Sequence, residues 1–344
     1  MLKVGVVGLG MGKAHLNSYI NDDRVTVEAI TDIDEEKLKM VSEKHSIPQI
    51  YTDAEDMFKN AGLDAVSIAV PNFLHKKLTI SALKAGLHVL CEKPMSVSLA
   101  DAQEMKKVVD DSGKNFMLNL SFRYNPMSQS LKKVVDSGEV GEIYSGRTIW
   151  HRRRGMPGFG GWFGKKELAG GGPLIDLGVH RLDLALWLMG YPNPIAVSGA
   201  TYNHIASAEA KKQNKEFTVE DLAMGFIRFD NGASLIVETS WAVNQKEREL
   251  METKLYGTKA GIVQKNKNEG YEFEAKVYSE KDGMHTTQTI DIPAVANSST
   301  YKEFIDSIVE DREPTATAEH GVKLQKILEG LYRSAEEGRE VVFD

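Results

Sequence analysis

Two segments of this sequence carry side chains able to move a proton. The first is Leu87-His88-Val89-Leu90-Cys91-Glu92-Lys93-Pro94, a short apolar strand that delivers an ammonium group to its carboxyl end and stops at a proline. Open α/β sheets bind their ligands outside the carboxyl ends of the strands, which puts Lys93 where a reacting oxygen would lie. Pro94 disfavours helical backbone at Lys93, fixes the point from which the side chain departs, and makes the Lys93–Pro94 bond a candidate for the cis form. A solvated lysine at the rim of the sheet is the plainer alternative. The second segment is Gly170-Gly171-Gly172-Pro173-Leu174-Ile175-Asp176-Leu177-Gly178-Val179-His180, continuing apolar to Met189 and Gly190. Pro173 suits a first helical position and Gly190 a C-terminal cap. A helix over 173–189 would be apolar round most of its surface and therefore buried, with Asp176 and His180 four apart on one face. Burying a lone carboxylate is costly, so Asp176 requires a partner. A carboxylate beside an imidazole can orient the ring for proton transfer, or the two can form a core pair that joins this helix to its neighbours. Two ligand types at this spacing, with no clear third, do not make a metal site, and none is expected.

The elements that would position these groups begin at the N-terminus. Leu2 to Val7 reads as a strand, ends in Gly8-Leu9-Gly10-Met11-Gly12 and opens a helix to Ile20; Val25 to Thr31 is a second strand, ending at Asp32, followed by a helix from Asp34 to His45. Further strands fall at 49–51, 64–70 and 88–91, with amphipathic helices between them. Strands interleaved with helices of this length make a doubly wound parallel sheet covered on both faces. Gly8 permits the tight turn, Gly10 lets the backbone approach a pyrophosphate, and the helix after Gly12 offers its unpaired N–H groups to the phosphates, with Met11 between. The third glycine falls at Gly12, and Lys13 takes the place that a strict G-x-G-x-x-G would give it, which offsets the helix entry. Asp32 is placed either to accept from the ribose hydroxyls of a dinucleotide or to cap the helix after it. As a ribose ligand it would repel a 2′-phosphate, so NAD is favoured over NADP.

After Phe122 the alternation stops. Strands at 141–150, 195–202, 222–229, 233–242, 249–256, 261–265, 271–278 and 286–290, with hairpin signals such as Asp230-Asn231-Gly232, predict a largely antiparallel sheet. Such a sheet, with helices on one face, leaves another face to be solvated or covered by a second subunit, which points to a homodimer or homotetramer. The domains are expected to be 1–122 and 123–344. Ser207 to Glu216 reads as a polar loop without a function. His151-Arg152-Arg153-Arg154-Gly155 ends a strand: Arg153 and Arg154 can bind a carboxylate or phosphate on a substrate, or form a charged edge that discourages strand pairing. Trp162, in an aromatic, glycine-rich segment that could fold over a pocket, can stack on a sugar ring; Trp241 can do so too, or belong to the core. The net charge of −7 over 344 residues, without a basic stripe, argues against nucleic acid. One cysteine, Cys91, suits a reducing compartment, and no apolar run nears the roughly 20 residues of a membrane helix. The chain enters its first strand directly, so a cytoplasmic protein off the membrane is expected.

Taken together these segments resemble the glucose-fructose oxidoreductase, inositol dehydrogenase and rhizopine-catabolism group, Gfo/Idh/MocA. The matching elements are the Gly8 to Gly12 turn with His15, Ala69-Val70-Pro71-Asn72 with His75, Glu92-Lys93-Pro94, Asn119 with Arg123-Tyr124-Asn125-Pro126, and the Gly172 to His180 helix. The resemblance implies an N-terminal Rossmann domain carrying the dinucleotide and a C-terminal α+β domain on an open sheet, against which a sugar or cyclic polyol rests. It adds Pro71, Asn72, His75, Glu92 and Lys93 to the cofactor residues, and Asn119, Arg123 and Tyr124 to those near the substrate. It makes Lys93, Asp176 and His180 meet at the reacting carbon, with either His180 or Lys93 as the base. An NAD-using glycoside hydrolase of the same fold and a non-catalytic dinucleotide sensor are the alternatives to a dehydrogenase.

Overall fold

The computed structural model describes residues 1–290 and 299–343. It divides into two units, one of Met1–Leu120 with Ser299–Val322 and one of Ser121–Ser298 with Lys323–Asp344. The first unit alternates β1 (Leu2–Val7), α1 (Gly12–Ile20), β2 (Val25–Thr31), α2 (Glu35–His45), β3 (Gln49–Tyr51), α3 (Ala54–Asn60), β4 (Ala65–Ile68), α4 (His75–Lys84), β5 (His88–Cys91), α5 (Leu99–Ser112) and β6 (Phe116–Leu118). Its sheet runs β3-β2-β1-β4-β5-β6, every pair parallel. β4 is buried along its whole length, as a strand covered by helices on both faces must be. Asp34, Asp53 and Ser98 cap α2, α3 and α5 through their side chains, whereas α1 starts without a side-chain cap. The cap of α2 is thus Asp34, which releases Asp32 from that role.

The second unit comprises α6 (Pro126–Asp136), β7 (Ile143–Arg152), α7 (Lys166–Ala169), α8 (Val179–Leu188), β8 (Pro194–Tyr202), α9 (Ile205–Lys212), β9 (Leu222–Phe229), β10 (Ser234–Ser240), β11 (Glu249–Gly257), β12 (Ala260–Asn266), β13 (Phe273–Lys281) and β14 (Met284–Thr289). After α10 (Thr300–Val309) in the first unit, α11 (Ala318–Glu337) leads into β15 (Val341–Val342). The nine strands run β14-β13-β12-β11-β7-β10-β9-β8-β15, and only β7 and β10 pair in parallel. Of the polar stretch expected as a loop over 207–216, residues 207–212 belong to α9, whose buried residues, Ala206 and Ala210, lie one turn apart, and 213–216 form the turn and loop after it. The expected boundary near residue 122 also needs correction, because 299–322 returns to the first unit. Tyr301 lies edge-on to His15, Arg24 pairs with Asp306 at 2.6 Å, and Leu118 N–H donates to Ala316 O at 2.9 Å.

Beneath the large sheet of the second unit, Arg123 and Asp183 form a fully buried ion pair, each 1% exposed at the side chain. Nε and Nη2 of Arg123 reach the carboxylate at 2.9 and 2.6 Å, and both partners bond the Tyr191 hydroxyl. Removing one member strands the other charge in the core. Asp183→Asn should therefore lose about 3–5 kcal/mol in denaturant unfolding. Asp110→Asn, which breaks the exposed 2.7 Å pair with Lys106, should lose under about 1 kcal/mol.

Candidate active site

In the first unit the strand order reverses between β1 and β4, and the groups picked out in the sequence gather at the strands' carboxyl ends. Gly8 has φ +84° and lies so close to the turn after β4 that a Cβ would stand 2.4 Å from Ala69 O. Nothing lies within 4 Å of a Cβ built on Gly10, which leaves the open approach a pyrophosphate needs. Gly12 is the first residue of α1, and a Cβ there would come within 3.0 Å of Val6 Cγ1. Close packing of helix on strand, the task of the fingerprint's third glycine, is thus done by Gly12 despite its offset. Met11, beside it, is exposed. Asp32 accepts from Leu9 N–H at 2.7 Å and Asp34 N–H at 3.0 Å, with Lys37 Nζ 3.3 Å away. Burial pushes its pKa up, but these donors outweigh burial and hold the carboxyl below its usual range. An uncapped helix start, an open glycine and an ionised carboxylate at the end of β2 fit a dinucleotide.

Glu92, Asn119 and His75, expected near cofactor or substrate, are buried and tied to their surroundings by internal hydrogen bonds. The Glu92 carboxylate is 9% exposed; its Oε1 lies 2.8 Å from His15 Nε2 and accepts from Asn119 Nδ2 at 2.6 Å, and its Oε2 accepts from Lys93 N–H at 3.2 Å. Burial would raise its pKa, yet His15, Lys93 and Asn119 hold it down at about 2. His75 is wholly buried, its ring nitrogens 2.7 and 2.9 Å from the carbonyls of Pro94 and Val70. Desolvation pushes its pKa down. The His75 ring therefore locks the turn after β4 to the Lys93–Pro94 turn, whose peptide bond is cis. Lys93 itself is half-buried, as are Pro71 and the end of its turn, while Asn72 is buried where a short 3₁₀ turn begins.

In the second unit the helix expected over 173–189 is two pieces, a π turn at Leu174–Gly178 and then α8. Such wide turns are frequent at functional sites. Asp176 lies half-buried in the π turn, and its Oδ2 accepts from Trp241 Nε1 at 3.0 Å, which gives the carboxylate the partner expected of it. His180 opens α8 with its ring 5.2 Å from Phe122 and 5.9 Å from Trp150. The glycines before the turn are crowded: a Cβ on Gly171 would stand 2.0 Å from Tyr332 Oη, and one on Gly172 2.2 Å from Glu220 O. Glu220, which sequence reasoning missed, is buried and accepts from Gly172 N–H at 2.8 Å, Leu174 N–H at 3.0 Å and Tyr332 Oη at 2.8 Å. It anchors the turn that carries Asp176, and burial pushes its own pKa up.

A model of an oxidoreductase family with an NAD-binding Rossmann fold matches residues 2–120, and the GFO/IDH/MocA C-terminal domain matches 128–263. The D-glucoside 3-dehydrogenase of Escherichia coli (strain K12) is 32% identical over 99% of this chain and 97% of its own length. The chain belongs to the Gfo/Idh/MocA family. A myo-inositol 2-dehydrogenase of Thermotoga maritima is 24% identical over 99% of this chain and 98% of its own. A solved levoglucosan dehydrogenase, in complex with NADH and levoglucosan, shares the fold with a TM-score of 0.87 at 23% identity, covering 99% of each chain.

In this Gfo/Idh/MocA protein the substrate-side candidates separate. Arg123 is committed to Asp183, and Tyr124 is buried beside it at 7% exposure, so both are structural. Trp162 stacks on Phe163 at 4.0 Å, and Phe163 meets Trp241 at 6.2 Å, which connects the aromatic segment to the Asp176 anchor. Trp241 is 1% exposed, a core residue rather than a stacking platform. Of the internal ties, Glu92 gives a pH-dependent test. Its folded pKa, about 2, lies below the ordinary 4.5, so its contribution to stability is complete above 4.5 and is lost as pH falls through about 2. Urea unfolding of wild type and Glu92→Gln should show a stability gap that is widest above about pH 5 and closes toward pH 2. A gap that does not change with pH would remove Glu92 as the charged anchor.

Proposed function

We propose that this chain is a dehydrogenase that oxidises a ring hydroxyl of a sugar or cyclic polyol, or reduces the corresponding ketone, with NAD preferred to NADP. The observation that carries the reading is the Asp176 carboxylate fixed by the Trp241 indole four residues before His180. An ionisable pair held in this way can take up a proton, which a sensor that merely binds a dinucleotide does not need. The relatives' names point to the same substrate class, since glucosides, inositol and levoglucosan are all rings of secondary hydroxyls. Gly8, Gly10, Met11, Gly12, Asp32, Pro71 and Asn72 would hold the dinucleotide, and the charge of Asp32 is the basis for NAD. When bound, the nicotinamide supplies the hydride acceptor. His180 removes the hydroxyl proton, Asp176 orients the ring or a neighbouring hydroxyl, and Lys93 donates a hydrogen bond to the reacting oxygen. The competing assignment makes Lys93 the base, beside the cationic nicotinamide. Lys93→Met and His180→Ala, assayed by nicotinamide absorbance with NAD and NADP against inositols, aldoses, ketoses and glycosides, should each lose roughly 10²–10⁴-fold in kcat. The residue whose loss also abolishes the pH dependence is the base; a variant that keeps nearly full activity ends that residue's role.

The outer face of the large sheet supports self-association. Register places Tyr202, Met224, Phe226, Ile236, Tyr256 and Tyr278 on that one face, and all but Phe226 are roughly two-fifths exposed. The opposite face receives α8 and α11, where Gly199 and Gly225 meet Leu331. An apolar face of this extent calls for a partner, and a second copy of the same sheet matches its apolar centre and its Arg147–Glu238 pair. Sedimentation equilibrium should give a dimer or tetramer for the wild type and a shift toward monomer for Ile236→Lys. A monomeric wild type would sink this part of the proposal.

A further inference from the structure

Sheet topology removes one of the two readings of the arginine run. β7 is fifth of nine strands, so the arginines at its end guard no sheet edge. Arg152 is spent: its Nε donates to Glu249 at 2.9 Å, its Nη2 to Tyr271 at 2.8 Å, and its guanidinium lies over Trp150. Arg153 and Arg154 are exposed, and backbone and amide oxygens, not carboxylates, hold them. Arg153 Nη1 donates to Lys246 O at 3.1 Å, Arg154 Nη1 to Val243 O at 3.3 Å, and Arg154 Nη2 to Asn244 Oδ1 at 2.9 Å. Among the described residues neither arginine nor Lys246 has a carboxylate within salt-bridge distance. Each guanidinium has five N–H donors, so bonds that fix its position leave others facing outward.

With Asn244 and Gln245, these three cations line a wide, shallow cavity that is open to solvent. The same two segments carry the Asp176 anchor. Gly155 N–H donates to Trp241 O at 2.8 Å, and Arg154 bridges to Ala242. Trp241 holds Asp176, and Asn244, three residues on, lines the cavity, a span of at most about 10 Å of extended chain. In a protein of net charge −7, a pocket with three cations that have no carboxylate partner among the described residues, on the chain segment that also carries Trp241, is a specific feature.

We propose that Arg153, Arg154 and Lys246 form an anion subsite, and that the substrate is a sugar or polyol derivative bearing a carboxylate or phosphate, a proposal that rests on the dehydrogenase reading above. The carboxylate or phosphate accepts from the outward guanidinium N–H groups and the ammonium, leaving the ring hydroxyls free to face Asp176. The test compares matched substrates, each neutral sugar against its uronate and its phosphate ester. Wild type should prefer an anionic member by kcat/KM, and which arm wins distinguishes carboxylate from phosphate. In Arg153→Ala, Arg154→Ala and Lys246→Ala that preference should fall by about ten-fold or more, the worth of a lost charge-assisted bond, with Lys246→Arg retaining it. Equal or better use of the neutral sugar by wild type, or a preference unchanged in all three variants, overturns the subsite. If no sugar of any charge is oxidised, it is the dehydrogenase reading that fails. Calorimetric titration of the same uronates and phosphates into the full chain with NADH then decides the subsite alone: binding lost in the triple variant supports it, and no binding to wild type overturns it.

Discussion

The first unit depends on one buried carboxylate. Glu92 lies between α1, through His15, and the end of β6, through Asn119, and its other oxygen takes the N–H of the residue it precedes. A carboxylate taken from water into such a place would ordinarily protonate; here hydrogen bonds and two neighbouring basic side chains keep it ionised. The ionised state matters because the next residue is Lys93. An anion fixed directly before the ammonium, with Pro94 fixed after it by His75, leaves Lys93 little freedom except at the end of its side chain. Tyr301, packed edge-on against His15, explains why 299–322 returns to the first unit: the His15–Glu92 pair needs a lid that excludes water.

The second unit solves the same problem with Glu220. Three glycines in a row form a weak helix start, because they bring no side chains to pack and lose much backbone freedom on ordering. Glu220 compensates by accepting the N–H groups of Gly172 and Leu174, while Tyr332 fills the space that glycine leaves and bonds the same carboxylate. The π turn that follows is therefore held at its start by an acid that takes no part in chemistry and at Asp176 by an indole. Each proposed reacting group thus has a buried carboxylate in its support. The two acids differ in environment: His15 and Lys93 surround Glu92, so it is held down, whereas Glu220 has only neutral donors and burial pushes it up.

The legible parts of the sequence were those with a local signature. Strand and helix periods marked nearly every strand of both sheets, and the glycine turn, Asp32, Lys93, Asp176 and His180 each stood out by type and position. The supports were not legible, because they are single residues far away in sequence: Glu220 lies 46 residues from Leu174, and Tyr332 lies 112 from Glu220. Motif position also gave no sign of the internal bonds that His75, Glu92 and Arg123 make. Periodicity did not reveal the π turn, because one extra residue per turn leaves the apolar character of 174–189 unchanged. The helical part of the loop expected at 207–216 was missed for the opposite reason: with Ala206 and Ala210 as its buried stripe, α9 offers too little apolar surface to register as amphipathic.

The proposed preference for NAD turns on the acceptor sites of Asp32. A carboxylate has about four lone-pair sites. Leu9 N–H and Asp34 N–H occupy one on each oxygen, and Lys37, at 3.3 Å from both, makes only long contacts. Those two long Lys37 bonds are the ones that the O–H donors of a ribose 2′,3′-diol would displace. A 2′-phosphate is mostly dianionic at neutral pH and replaces only the 2′-hydroxyl, so it meets the charge of Asp32 and leaves one acceptor without a donor, while the 3′-hydroxyl still donates to the other. Lys37, which already donates to both oxygens of the same carboxylate, softens the repulsion. Charge and hydrogen-bond count therefore act in the same direction at Asp32, and the shifted glycine at position 12 leaves that balance untouched, since its task is packing against Val6.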